Sequence, residues 1–466
     1  MSLAAVTCFG LVACGGDTAE QHTTNPPPLA STNPSASASK PTAPAADKAK
    51  EIQKLAAEAF EFGYSPLFME RQKRTMTTNV RLPLATFAHA SKLPKPEDAD
   101  VLPSLDTLLS SAWVELKDGG WLLKLPDMGD RWFAIEMFDA YGEPIGVVGR
   151  KTTGTKAQQI AITSPGFKGT VPAGAKEVKS TTSTVWLLGR TRVASDNDVA
   201  KVSALLKQWS LAPIAPAVAS KDLPPAPIGR PQDLKFGGPE IFDELGELMK
   251  AEPPPADVKG ILPEFAKAGI GPGLSPNKSL PQEELASVSQ GIKDGAEDIE
   301  KALDKLVTRK NGWDLDSSFG QRGADPAKQA AYVLRGLDAI PVASEALVYI
   351  ARVDDGDRVL SGAHDYVIHF DKAKMPPAKA FWSMTVYSSK TASLVSGAKR
   401  FSVNDSTVKK NPDGSIDIVV QPDAPSKNDS NWIPAPKGDA FMIALRAYQP
   451  ADDAASWEAP VVKRVK

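Results

Sequence analysis

The run Arg131-Trp132-Phe133-Ala134-Ile135-Glu136-Met137-Phe138 is apolar at odd and even positions alike. Successive side chains of a strand point to opposite faces, so such a strand must be covered on both sides. Glu136 stands in the middle of the run. A buried carboxylate has to be paired or neutral. Such groups sometimes perform acid–base chemistry, and more often they make a structural hydrogen bond.

Around this run residues 101–193 read as a β domain. Residues 121–125 are strand-like and connect to 131–138 through Pro126-Asp127-Met128-Gly129-Asp130, rich in the residues hairpin turns use. Further strands are expected at 159–163 and 185–191, with turns at Pro165-Gly166 and Pro172-Ala173-Gly174, and an amphipathic helix at 197–209. A helix is expected at 51–61, where Ile52, Leu55, Ala56, Ala59 and Phe60 recur at helical spacing and Gly63 with Pro66 supplies the stop. After a Pro/Ala-rich linker (211–231), residues 239–249, 258–268 and 282–307 have helical periodicity. Strand patterning returns at 366–370, 381–387, 416–421 and 441–448, with a hairpin turn at Asn411-Pro412-Asp413-Gly414. In the last strand Phe441, Ile443, Leu445 and Ala447 share one face and Arg446 and Tyr448 the other, the alternation of a half-buried sandwich strand.

The amino terminus bears on location. Residues 3–13 (LAAVTCFGLVA) are uncharged and apolar, too short for the ~20 residues a membrane span needs and suited to a signal-peptide core. They end in Leu11-Val12-Ala13-Cys14, followed by Gly15-Gly16, which resembles the lipobox of bacterial lipoproteins. That resemblance makes Cys14 the lipidated first residue of the mature protein. No Lys or Arg precedes the run, which leaves a start upstream of Met1 open. Residues 14–49 follow, a Pro/Ser/Thr/Ala composition that cannot bury enough surface to fold and suits a tether. The chain has two cysteines, Cys8 and Cys14. With Cys8 leaving in the signal and Cys14 acylated, thiol catalysis and cysteine–zinc sites are excluded. Gly15 is not an Asp-type retention signal, which favours the outer membrane.

Other features exclude more than they propose. A net charge of −2 with both signs interspersed offers no basic stripe for nucleic acid. Of four histidines, His364 and His369 are five apart, on opposite faces of a strand or about 140° apart on a helix, and neither geometry chelates a metal. Gly269-Ile270-Gly271-Pro272-Gly273 has the wrong spacing for a dinucleotide loop. Asp354-Asp355-Gly356-Asp357 lacks calcium-loop spacing. No nucleophile elbow or zinc-protease motif occurs. No cofactor and no metal are expected.

Two blocks carry a family resemblance. Residues 102–193 resemble domain-of-unknown-function family 1254 through Leu105-Asp106-Thr107-Leu108, Ser110-Ser111-Ala112-Trp113, Asp139-Ala140-Tyr141, Gly149-Arg150-Lys151-Thr152-Thr153-Gly154-Thr155, Pro165-Gly166-Phe167-Lys168-Gly169-Thr170 and Leu188-Gly189-Arg190-Thr191. Residues 349–450 resemble family 1214 through Phe381-Trp382-Ser383, Arg400-Phe401-Ser402, Asn431-Trp432-Ile433-Pro434-Ala435-Pro436 and Leu445-Arg446-Ala447-Tyr448. The chain departs from the usual pattern at Ser104, where Asn is typical, and at Leu109, where Tyr is common. The resemblance implies a mainly β fold with a helical insert: an immunoglobulin-like β-sandwich, a helical bridge and a C-terminal jelly-roll-like β-sandwich.

The expected organisation is a signal (1–13), a tether (14–49), a first sandwich with flanking helices (50–210), a linker (211–231), a helical bridge (232–348) and a second sandwich (349–466). Within the motifs, Arg150, Thr152, Arg190, Trp382, Arg400, Asn431, Trp432 and Arg446 are candidate ligand residues, since carboxylate, guanidinium and aromatic face together suit sugars and other polyols. The same residues could instead be buried clamps. A non-catalytic envelope protein binding a glycan or other polar ligand is the first reading. A hydrolase using Glu136, Asp106 or Asp139 is the second, and needs two carboxylates roughly 5–10 Å apart in one pocket. Expected partners are the membrane, through the lipid, and such a ligand; a second copy of the chain stays open.

Overall fold

In the computed structural model, residues 43–465 are described apart from 99, 118, 215–236, 257, 258, 322, 324, 337–339, 399, 427 and 428. Cys14, the apolar run before it, the tether up to residue 42 and most of the expected linker therefore lie outside the described residues. Within them the chain is mainly β, with nineteen strands in four sheets and a helical insert, and no sheet closes into a barrel.

The first sandwich pairs two sheets. Sheet I runs in the order β1 (Ala88–His89), β2 (Thr107–Glu115), β8 (Thr184–Arg192), β4 (Phe133–Asp139), β5 (Pro144–Gly149), and sheet II in the order β7 (Lys176–Lys179), β6 (Gln158–Thr163), β3 (Gly120–Leu125), β9 (Ser210–Ile214). Leu108, Phe133, Ile135 and Leu187 from sheet I meet Leu123, Ile160 and Ile162 from sheet II in one core. The turn at Pro126–Asp130 forms, yet β3 and β4 belong to different sheets. It carries the chain across the sandwich and does not close a hairpin.

The second sandwich follows the same plan. Sheet III is ordered β10 (Thr308–Lys310), β11 (Trp313–Leu315), β12 (Ala346–Ala351), β18 (Phe441–Pro450), β14 (Ala378–Ser388), β15 (Ser402–Asn404), and sheet IV is ordered β17 (Trp432–Pro434), β16 (Ile416–Gln421), β13 (Tyr366–Phe370), β19 (Lys463–Arg464). Leu347, Met384, Ile443 and Leu445 pack there against Tyr366, Ile368, Ile418 and Ile433. The stretch expected as a helical bridge (232–348) holds α3 to α7 and also contributes β10 and β11 to this sheet. Asn411–Gly414 is a tight turn, with Gly414 at φ +90° and its N–H bonded to the Asn411 carbonyl. It joins no pair of neighbouring strands, because β16 pairs with β13 and β17.

The helices are α1 (Ala43–Arg74), α2 (Val199–Leu206), α3 (Glu240–Ala251), α4 (Leu262–Ala266), α5 (Pro276–Ser279), α6 (Gln282–Lys305) and α7 (Pro326–Arg335). Helix α1 starts inside the expected tether and passes straight through Gly63 and Pro66. A proline in a helix interior removes a hydrogen bond and costs ~3 kcal/mol. Here Phe62, Tyr64, Leu67, Phe68 and Met69 around it are all buried in the largest core, and that burial outweighs the local stop signal. α1 packs against α6, α7 and α3, and Arg71 reaches Glu244 of α3 with two hydrogen bonds (3.2 and 2.5 Å).

Candidate functional site between and on the sandwiches

Strand registers show which side chains leave each sandwich. In sheet I, Leu109, Arg190, Ala134 and Gly149 form one row and Ser111, Leu188, Glu136 and Val147 the next. Trp113, Trp186 and Phe138 form a third. Phe133, Ile135 and Met137 point into the first core, so these rows make the outer face. Trp113, Trp186 and Phe138 are covered by the helices, whereas Trp132 and Ala134 meet Ala346, Phe381 and Tyr448 of sheet III. The run apolar on both faces is explained: one sheet lies between its partner sheet and two different covers.

Sheet III answers with Asn404, Ser383, Arg446 and Val348 in one row and Phe381, Tyr448 and Ala346 in the next. β18 is therefore buried on both faces, a correction to the half-buried strand expected from its alternation. Arg446 is 2% exposed. It donates to the Tyr387 hydroxyl (2.8 Å) and to the Leu102 carbonyl of the first sandwich (2.8 Å). Asp106, also buried, accepts from Asn404 (3.3 Å), and Ser104 bonds the Tyr448 hydroxyl (3.0 Å). Burial pushes the Asp106 carboxyl up, against Ser383, Asn404, Arg446 and Arg192, which pull it down.

Glu136 lies at the border between the helix-covered and sandwich-covered parts. Its Oε2 accepts from Arg190 (2.5 Å) and its Oε1 from the Val342 N–H (2.8 Å). Burial raises its pKa while Arg190 and Val342 oppose. Arg150 donates to Gln449 (2.6 Å), so it too spans the two sandwiches. Asp106, Glu136, Arg150, Arg190 and Arg446 are thus brought to one inter-sandwich seam.

The other candidates lie apart from it. Asp139 is fully buried and accepts from the Tyr141 and Glu143 N–H groups and the Thr181 hydroxyl, tying the turn after β4. The Thr152 hydroxyl bonds the Val147 carbonyl within its own turn (2.8 Å). Trp382 packs on Phe370 inside the second core. Asn431 is buried and bonds Lys409 and the Asp417 carbonyl.

Trp432 and Arg400 meet at sheet IV. Trp432 pairs with Val419, which pairs with Val367, which pairs with Lys463. Their neighbours Ile433 and Val420 face the core, so this row forms the outer face, with every member at least partly exposed. The Trp432 indole N–H donates to the Gln421 carbonyl (2.8 Å), laying the ring along β16. The Arg400 guanidinium bonds the Ser430 and Trp432 carbonyls (2.9 and 3.3 Å). On the same face His369 holds Asp417 (2.6 Å), a contact that raises the His369 pKa.

Three participants escaped the sequence reading. Arg192, over the Phe381 ring at 4.3 Å, is two positions from Arg190 and so on the same face, a signal period-two counting would have caught. Asn404, which donates to Asp106, and Glu345, buried just before β12 beside Glu136 and Lys151, have no such signal in their neighbourhood. Among the described residues no group of three His, Cys, Asp or Glu side chains could hold a metal ion, and no helix is long and apolar enough to cross a membrane.

The family model DUF1254, a protein of unknown function, matches residues 84–213, and DUF1214, also a protein of unknown function, matches residues 345–452. Among solved structures, the VPA0106 protein from Vibrio parahaemolyticus is similar with a TM-score of 0.70 at 21% identity, over 89% of this chain and 100% of that one. An uncharacterised protein from Burkholderia cenocepacia is similar with a TM-score of 0.44 at 15% identity, over 90% of this chain and 95% of that one. The first likeness is one of fold. No curated protein matches the sequence.

Proposed function

For a chain that carries a DUF1254 domain followed by a DUF1214 domain, we propose a non-catalytic role: binding of a glycan or a similar polar envelope polymer on the outer face of sheet IV. The observation that carries this reading is the Trp432–Val419–Val367 row, an aromatic and apolar strip in reach of solvent, continued by Lys463 and bordered by Arg400 and the His369–Asp417 pair. Sugar rings present C–H faces that stack on an indole, and their hydroxyls need polar groups at the rim. A hydrolase working through Glu136, Asp106 or Asp139 is disfavoured, since each of the three is at most 2% exposed and held by neighbouring donors.

The proposed site of action rests on the lipobox resemblance of residues 11–14. Residues 3–14 support export and lipid attachment at Cys14, with outer-membrane anchoring. Radioactive palmitate should label the full chain and not Cys14→Ser; a labelled Cys14→Ser protein would refute the anchor.

Binding is tested by sedimenting the purified full chain with insoluble peptidoglycan. Trp432→Ala should weaken retention by roughly tenfold, as loss of a central aromatic anchor does, while the protein stays folded at the assay temperature by circular dichroism. Undiminished retention in Trp432→Ala, or none in the wild type, would overturn the assignment.

A further inference from the structure

Glu345, immediately before β12, sits in the seam between the sandwiches. Its N–H donates to the Val342 carbonyl (2.8 Å) and its carbonyl accepts from Gln449 (2.7 Å), so the backbone is pinned from two sides. The side chain is 0% exposed. Both carboxylate oxygens are buried without a hydrogen-bond partner among the described residues.

The charged groups around it do not compensate. From β4 comes Glu136, a second carboxylate, held by Arg190 of β8 and the Val342 N–H. From the turn after β5 come Lys151, whose ammonium donates to the Ser344 carbonyl (2.8 Å), and Arg150, bonded to Gln449. An ionised carboxylate with no donor and a like charge nearby is strongly disfavoured in a dry interface.

We propose that Glu345 is a proton-operated catch on the docking of the two sandwiches: protonated it is accommodated in the seam, and ionised it loosens the contact. Burial first, and then the charge of Glu136, push its carboxyl up to about 7, with Lys151 pulling the other way. The folded chain therefore keeps a proton that the unfolded chain loses near 4.5. Docking is tightest below about 4.5, weakens as pH rises towards 7 and levels off above it.

The test compares full-chain wild type, Glu345→Gln and Lys151→Met by thermal unfolding from pH 4.5 to 8.5. Glu345→Gln should gain roughly 2–5 °C on the wild type by pH 8 and nothing at pH 4.5. Lys151→Met should move the midpoint of that divergence upward. Hydrogen exchange, corrected for its intrinsic pH dependence, locates the effect. At pH 8 the Gln449 and Val342 amides should exchange roughly tenfold faster in wild type than in Glu345→Gln, with amides of β13 and β16 unchanged. Parallel melting curves for wild type and Glu345→Gln, or equal exchange at Gln449 and Val342, would overturn the proposal.

Discussion

Arg446 and Asp106 face each other's environment across the seam but are not equivalent. Removing Arg446 strips a donor from the Tyr387 hydroxyl and from the Leu102 carbonyl and takes away a positive charge that acts on Asp106. Breaking a buried charged network from one side costs ~3–5 kcal/mol. Asp106→Asn keeps an acceptor for Asn404 and removes a carboxylate that burial already disfavours, so its cost should stay below ~1 kcal/mol. Urea unfolding of Arg446→Ala and Asp106→Asn should reveal that asymmetry, and equal losses would contradict it. At this scale the sequence was partly legible. Glu136 and Arg446 announce themselves as polar groups inside apolar strands. Glu345 stands in the turn just before a strand, where a glutamate is ordinarily solvated, and only the tertiary contact buries it. Asp139 and Asn431 read as site residues because Asp and Asn side chains that tie loops use the same chemistry as those that hold ligands.

Among the elements, α1 and α6 pack closely because α6 offers glycines to its neighbour. A Cβ on Gly291 would lie 2.3 Å from the Gln53 carbonyl oxygen, and one on Gly295 2.7 Å from the Ala57 carbonyl oxygen. In an exposed helix Gly→Ala stabilises by up to ~1 kcal/mol. Here Gly291→Ala should instead destabilise by ~1–3 kcal/mol through overpacking, a change of sign that chemical denaturation can read. Period-two alternation located most of the longer strands and period 3.6 the helices α3 and α6, since local burial dictates both. The end of α1, the double burial of β18 and the cross-sheet course of Pro126–Asp130 depend on what packs against each element, and adjacent residues carry no record of that.

On the scale of the whole molecule, one core runs from α1 through the outer face of sheet I to α6, α7 and the outer face of sheet III. The two sandwiches therefore lack independent surfaces to unfold from. Calorimetry at pH 5 should show a single transition with calorimetric and van't Hoff enthalpies in agreement. Two resolved peaks would mean that the seam contributes little.

The seam also sets a clock. Arg446 and Leu102 are 344 residues apart in the chain. At ~5–20 residues per second of synthesis, the outer face of sheet I waits roughly 20–70 s for its cover. Until β12 and β14 are made, Trp132 and Ala134 have no partner from sheet III, and a message truncated before β12 would leave them without one for good. Such truncated chains are expected to be cleared by proteolysis or to aggregate, even with every residue of the first sandwich intact.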